Sequence, residues 1–212
     1  MSKLAILVTG RLFFGLLTLA AIGAQLGVHV QHRFPVVNFF SYFTNLSNIF
    51  AALVFLLGAL ALLRRRELGL PVASDLIRGA AVAAMAIVGI VYGILLRNED
   101  LGTLLPWVNA VVHYIMPVAV VADWLYAPPI SRLSLRQTGY WLIYPLLYLI
   151  YTLVRGTIVD WYPYPFLNPA KAGGYGSVAM YAIAIFVAFL IVGWLLVALG
   201  NAQTRKRAVQ PA

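Results

Sequence analysis

Long apolar runs separated by short polar stretches dominate the chain. Six runs reach about twenty residues or more: 4–28, 39–63, 79–97, 106–126, 139–157 and 177–200. A helix needs about 20 predominantly apolar residues to cross the hydrocarbon of a bilayer. The pattern therefore predicts an all-α integral membrane protein, a six-transmembrane-helix bundle filling residues 1–203, with 204–212 as a short basic tail. Helix punctuation falls between the runs: Asn38 before the second, Pro106 opening the fourth, Pro128-Pro129 after it, and Gly200-Asn201 closing the last. No internal repeat is evident. Lys3, the first apolar run and the Ala21–Ala24 stretch resemble a signal peptide, but Arg11 interrupts the run, and a retained first helix is expected.

Charge then gives the bundle a direction. On one side lie Lys3, Arg11, Arg64, Arg65, Arg66, Arg78, Arg132, Arg136, Arg205, Lys206 and Arg207; on the other lie Arg33, Arg97, Arg155 and Lys171. Eleven basic residues against four predict both termini on the cytoplasmic side. The outer side then receives the 29–38 loop, Asn98-Glu99-Asp100 and the aromatic segment Trp161–Phe166, whose rings suit an interfacial belt or a lid over a cavity. Composition agrees with burial in lipid. The chain is 63% hydrophobic and 10% charged, whereas soluble domains carry about 25% charged residues. The net charge of +9 is broken up between apolar runs, so membrane lipids, not nucleic acid, are the expected partners. With no cysteine, disulfides and thiolate chemistry are excluded. His29 and His32 lack acidic or cysteine companions, and neither a metal nor a cofactor is expected.

Polar residues inside the runs are the next signal, because such groups are costly in hydrocarbon and mark function. Ser41, Thr44, Asn45 and Asn48 follow i, i+3, i+4, i+7 spacing and share one face of a continuous second helix. Asn109 and His113 stack one turn apart on the fourth. Tyr144, Tyr148, Tyr151, Thr152 and Arg155 recur at three- and four-residue steps on the fifth. With a rise of 1.5 Å per residue, Thr44 is expected about 8–9 Å from the outer end of its span and His113 about 10 Å. Asp123 lies roughly 15 Å further down. Pro117 removes the bond to the His113 carbonyl and opens the helix there.

A hydroxyl needs an adjacent base to act as a nucleophile, and imidazole is the usual one. The arrangement predicts a Thr44–His113 dyad. Asn45, Asn48 and Asn109 are candidate donors to a developing oxyanion, Ser41 is a further member of the polar cavity, and Arg155, Tyr148 and Tyr151 are candidates to hold a substrate carboxylate at the rim. Asp160 is a distant option for a third member. The same residues also fit blander roles: interhelical glue, the lining of a transporter, or a lipid-binding cavity without chemistry. Arg11 is expected to snorkel or to pair with Asp123, and Gly89-Ile-Val-Tyr-Gly93 to permit close helix contact.

Phe43-Thr44, Asn109-x-x-x-His113-x-x-x-Pro117 and Trp161…Tyr164-Pro165-Phe166-Leu167 together resemble the androgen-induced-protein family over roughly residues 35–200. That family comprises multi-pass membrane threonine hydrolases acting on fatty acid esters of hydroxy fatty acids. The resemblance implies that Thr44 is the nucleophile, that His113 is the catalytic histidine, and that a lipid ester enters from the bilayer or the outer side. The chain departs from the family pattern in Asn45-Leu-Ser-Asn48, and Asp123 is displaced by one position. Short length, a basic tail and no cysteine look like a bacterial member, placed in the cell membrane with its site in the outer half of the bilayer.

Overall fold

The computed structural model describes residues 2–64 and 71–209. Arg65, Arg66 and the last residues of the basic tail lie outside them. Among the described residues the fold is helical throughout. Six helices are long and apolar enough to cross a membrane: α1 (Lys3–Gln31), α2 (Phe43–Leu63), α3 (Ser74–Leu96), α4 (Pro106–Tyr126), α5 (Leu135–Val159) and α6 (Tyr175–Arg205).

α3 is the hub, packed against α2, α4 and α6. Its sequence explains why. Helices gain no hydrophobic drive by leaving one lipid-like surface for another, so small residues that allow close approach decide the packing. Ala81, Ala83 and Ala84 are almost fully buried. At Gly79 an added Cβ would meet the Trp141 ring, and at Gly89 it would come within 3.3 Å of Pro117. Gly93, the second glycine of the expected contact pair, has open space around it. α5 is the opposite extreme: 11% of its most apolar stretch is buried, against 56% in α3.

Three boundaries differ from the expected ones. The second run does not form one helix from 39. A short helix, Val36–Phe40, precedes it, Ser41 closes that helix, and Tyr42 is extended (ψ 125°), so α2 begins at Phe43. α3 starts earlier than 79 and takes Asp75 and Arg78 into the bundle. Gly200-Asn201 does not stop α6, whose helix continues to Val209. These residues hold the α4–α5 connection instead. Asn201 bonds both backbone groups of Leu133, at 3.0 and 2.8 Å. Thr204 donates to the Pro129 carbonyl.

At the end of the bundle nearest the termini, a charged cluster ties three helices together. Asp123 of α4 accepts two bonds from the Arg11 guanidinium, at 2.7 and 2.9 Å, and one from Arg78 at 3.1 Å. Arg78 also donates to the Ala127 carbonyl. Asp75 caps the next loop by accepting from the Ile130 and Ser131 N–H groups. Of the two outcomes expected for Arg11, pairing is the one found. Asp123→Asn should therefore leave two arginines short of charge and cost about 3–5 kcal/mol. Thermal unfolding in detergent measures this; a midpoint unchanged from wild type would remove the cluster from the forces that hold the fold.

Candidate active site

The opposite end of the bundle collects the polar residues singled out in the sequence. Thr44 is the second residue of α2, so it lies only about 3 Å into its helix, shallower than a continuous helix from 39 would put it. The first N–H groups of any helix lack partners within it, and Tyr42 provides no side-chain cap. The Tyr164 hydroxyl fills that role. It accepts the Thr44 N–H at 3.1 Å and lies 3.3 Å from Thr44 Oγ1. Burial pushes the Tyr164 phenol up, so it keeps its proton and remains a donor. Its ring stacks on Phe166 and meets Tyr42 edge-on. Tyr162, two residues earlier, lies directly on Gly156, where an added Cβ would collide with the ring. The aromatic segment is thus a packed wall.

His113 sits in a π-helical turn, Val111–Ile115, in which the Met116 N–H reaches back to the Val111 carbonyl. Pro117 accounts for it. Without an N–H, Pro117 cannot continue the α-helical ladder to His113, and the helix opens into a wider turn. Such turns recur at functional sites. α3 ends in a second one, Tyr92–Leu96, and the two meet: the Tyr92 and His113 rings stack at 4.0 Å and 16°. Asn109 closes the group. Its amide N–H donates to the Tyr92 hydroxyl at 2.8 Å, and its carbonyl oxygen accepts from His113 Nδ1 at 2.6 Å. With the proton on Nδ1, Nε2 carries the lone pair. Nε2 makes no hydrogen bond among the described residues.

Thr44 and His113 both line a cavity of about 670 Å³, together with Gln25, Asn45, Tyr164 and Lys171. They do not bond each other: Thr44 Oγ1 is partnered by Tyr164 and His113 by Asn109. A second, apolar cleft of about 100 Å³ runs between α3, α5 and α6. Thr44, Tyr164 and Leu96 line both spaces, so the threonine stands where they meet.

The remaining candidates are engaged in hydrogen bonds of their own. Asn48 donates to the Thr44 carbonyl at 2.9 Å and to the Val112 carbonyl at 3.1 Å, bracing α2 against α4. Asn45 donates to the Phe39 carbonyl. These two amides and that of Asn109 are engaged as braces and are not aimed at Thr44 Oγ1. Ser41 does not share the α2 face. It bonds the Val37 carbonyl and the Tyr151 hydroxyl, while its own carbonyl accepts from Tyr148. Arg155 bonds Asn38 at 2.6 Å and lies over the Trp161 ring. Arg155, Tyr148 and Tyr151 therefore fasten the α1–α2 connection and do not line the large cavity. Asp160 is exposed at the left-handed end of α5 and makes no bond to His113. His29 and His32 each bond a backbone carbonyl.

Sequence reading missed the roles of Tyr92, Gln25 and Lys171. Gln25 was findable as a polar residue inside an apolar run; it is buried and bonds Thr103 and Leu105. Lys171 gave no signal, because its place depends on how the 160–174 segment folds back.

Compared with protein-family models, curated proteins and solved structures, the chain matches none.

Tyr164→Phe isolates the hydroxyl that caps α2. It leaves the buried Thr44 N–H without a partner and should cost about 1–3 kcal/mol. Urea unfolding in mild detergent reads this, and equal stability would mean that another group takes the bond.

Proposed function

We propose that the chain is a multi-pass membrane hydrolase of lipid-like esters, with Thr44 as nucleophile and His113 as general base. The observation that carries the reading is the shared cavity: it is lined by a threonine hydroxyl and by an imidazole whose Nδ1 is held by Asn109. Locking one nitrogen as the donor leaves the other as the base, the part an orienting residue plays in hydrolytic triads. The reaction then has two halves. His113 Nε2 takes the Thr44 proton as Oγ1 attacks the ester carbonyl carbon, and the imidazolium returns that proton to the departing alcohol. Water next attacks the acyl-threonine with His113 again as base, releasing the carboxylic acid. Tyr164, which keeps its proton, is the donor nearest Thr44 Oγ1 and the best-placed group to stabilise the oxyanion. The Thr–His pairing, the Asn-x3-His-x3-Pro element and the aromatic segment are the features that resemble the androgen-induced-protein family, whose fatty acid esters of hydroxy fatty acids are the nearest substrate class.

The proposed orientation rests on the charge count. Arg11 and Arg78 are spent in the buried cluster and drop out of the count, leaving nine basic residues against four. Both termini are then cytoplasmic and the site faces the outer half of the bilayer. Below Thr44, α2 continues through Ser47 and Asn48 to Ala51, Ala52 and Phe55, all buried. Such a floor favours a dead-end site over a solute path.

A fluorophosphonate probe should label the purified protein. Thr44→Ala should abolish the label, and retention at the wild-type rate would remove Thr44 as nucleophile. His113→Ala should slow labelling by about 10²–10⁴. Asn109→Ala, which frees the imidazole to turn, should lower kcat more than KM and change the pH profile; a purely structural role would leave that profile in place.

A further inference from the structure

The apolar cleft beside Thr44 has no part in the chemistry above, yet the two spaces that meet at this threonine differ in kind. The larger mixes polar and charged side chains, among them Gln25, Glu99, Asp100 and Lys171, with apolar ones such as Phe39, Leu104 and Trp161. The smaller is walled by aliphatic and aromatic groups of three helices, including Val88 of α3, Leu149 of α5 and Ile185 of α6. Its outer edges are Leu146, 52% exposed, and Phe186, 42% exposed. The cleft therefore opens sideways between α5 and α6, on the apolar surface of the bundle. Weak burial of α5 is what leaves it open.

Its direction is informative. On α6 the lining runs from Ala182 to Phe189, about 10 Å along the helix axis. Those residues lie further into their span than Thr44 does into α2. A lipid in one leaflet has the same layout, with its polar part near the interface and its chain pointing to the midplane.

We infer that the cleft between α5 and α6 is the acyl-chain site: a lipid ester slides in sideways from the leaflet, its chain lies between these helices, and its alcohol part occupies the polar cavity. This rests on the hydrolase reading only for the placement of the ester carbonyl at Thr44. The narrow space takes the acyl arm and the wide one takes the alcohol arm. The alcohol part can accordingly be bulky and varied, while a chain branched near the carbonyl is rejected.

A palmitoyl ester with a diazirine midway along the acyl chain, in phosphatidylcholine vesicles holding the full-length protein, tests the assignment. Irradiation should attach it to peptides containing Leu149 and Ile185, and excess unreactive ester should displace it. Ala182→Trp fills the cleft and should cut the displaceable label at least about tenfold, equivalent to about 1.4 kcal/mol of binding. Leu146→Trp should do the same from the facing helix, which covers the case of one variant failing to fold. Ile183→Trp, on the outward surface where that residue is 64% exposed, should leave the label unchanged. Label that excess ester does not displace, displaceable label on the Gln25 side of the large cavity, or insensitivity to both cleft variants would each overturn the site. Thr44→Ala should keep the displaceable label. Displaceable cleft label on a wild-type protein that cleaves no ester would uphold the chain site and overturn the hydrolase reading instead.

Discussion

A polar group surrounded by hydrocarbon has no water to bond, so it must find its partner inside the protein. Most of this structure follows from that constraint. Arg11, Arg78, Asp75 and Asp123 satisfy it as one cluster across α1, α3 and α4. The Asn48 amide N–H groups satisfy it by clamping two carbonyls on different helices, and Gln25 by holding both a donor and an acceptor of the α3–α4 connection. In a bundle whose outward faces are rich in large hydrophobic residues, such bonds decide which helices touch and at what height.

The site is assembled where the regular helix fails. α2 starts late, so the Thr44 N–H is left over and a tyrosine from a distant loop takes it. α4 widens before Pro117 and turns His113 toward α3. α3 widens at its own end and presents Tyr92 to that ring. Each irregularity frees or redirects one polar group: Thr44 and His113 line one cavity, and Tyr92 backs the histidine ring. In an uninterrupted second helix the Thr44 N–H would have been used in the helix's own ladder.

Much of this was legible in the sequence, and the limits have physical causes. Hydropathy reports where a segment partitions, so the six spans could be found within a few residues. That Thr44 and His113 lie at the same end of the bundle could be read from helix counting, because both spans start from that end. Extrapolating the helical period through Ser41-Tyr42 failed, because Tyr148 and Tyr151 hold that turn in a non-helical conformation from another helix. Asn109 could be placed beside His113 by its spacing. That its carbonyl would orient the imidazole depends on Tyr92 engaging its N–H, and a partner on another helix leaves no trace in the spacing. Arg78 was counted as a loop charge because nothing local shows that Asp123, 45 residues later, would draw it inside.

The bond between Arg11 and Asp123 also bears on assembly. The two residues are 112 positions apart. A chain threaded into a bilayer helix by helix carries Arg11 in its first span while Asp123 has yet to be made. Arg11 is the ninth residue of α1, short of the helix centre where an arginine costs about 2.5–3.5 kcal/mol on insertion scales; its smaller cost must be offset by the apolar residues of α1 unaided. The first helix is thus inserted with a debt that only the fourth discharges. Its final tilt and depth are fixed late in synthesis, so any variant that delays α4 exposes α1 to mispairing or degradation before the bundle closes.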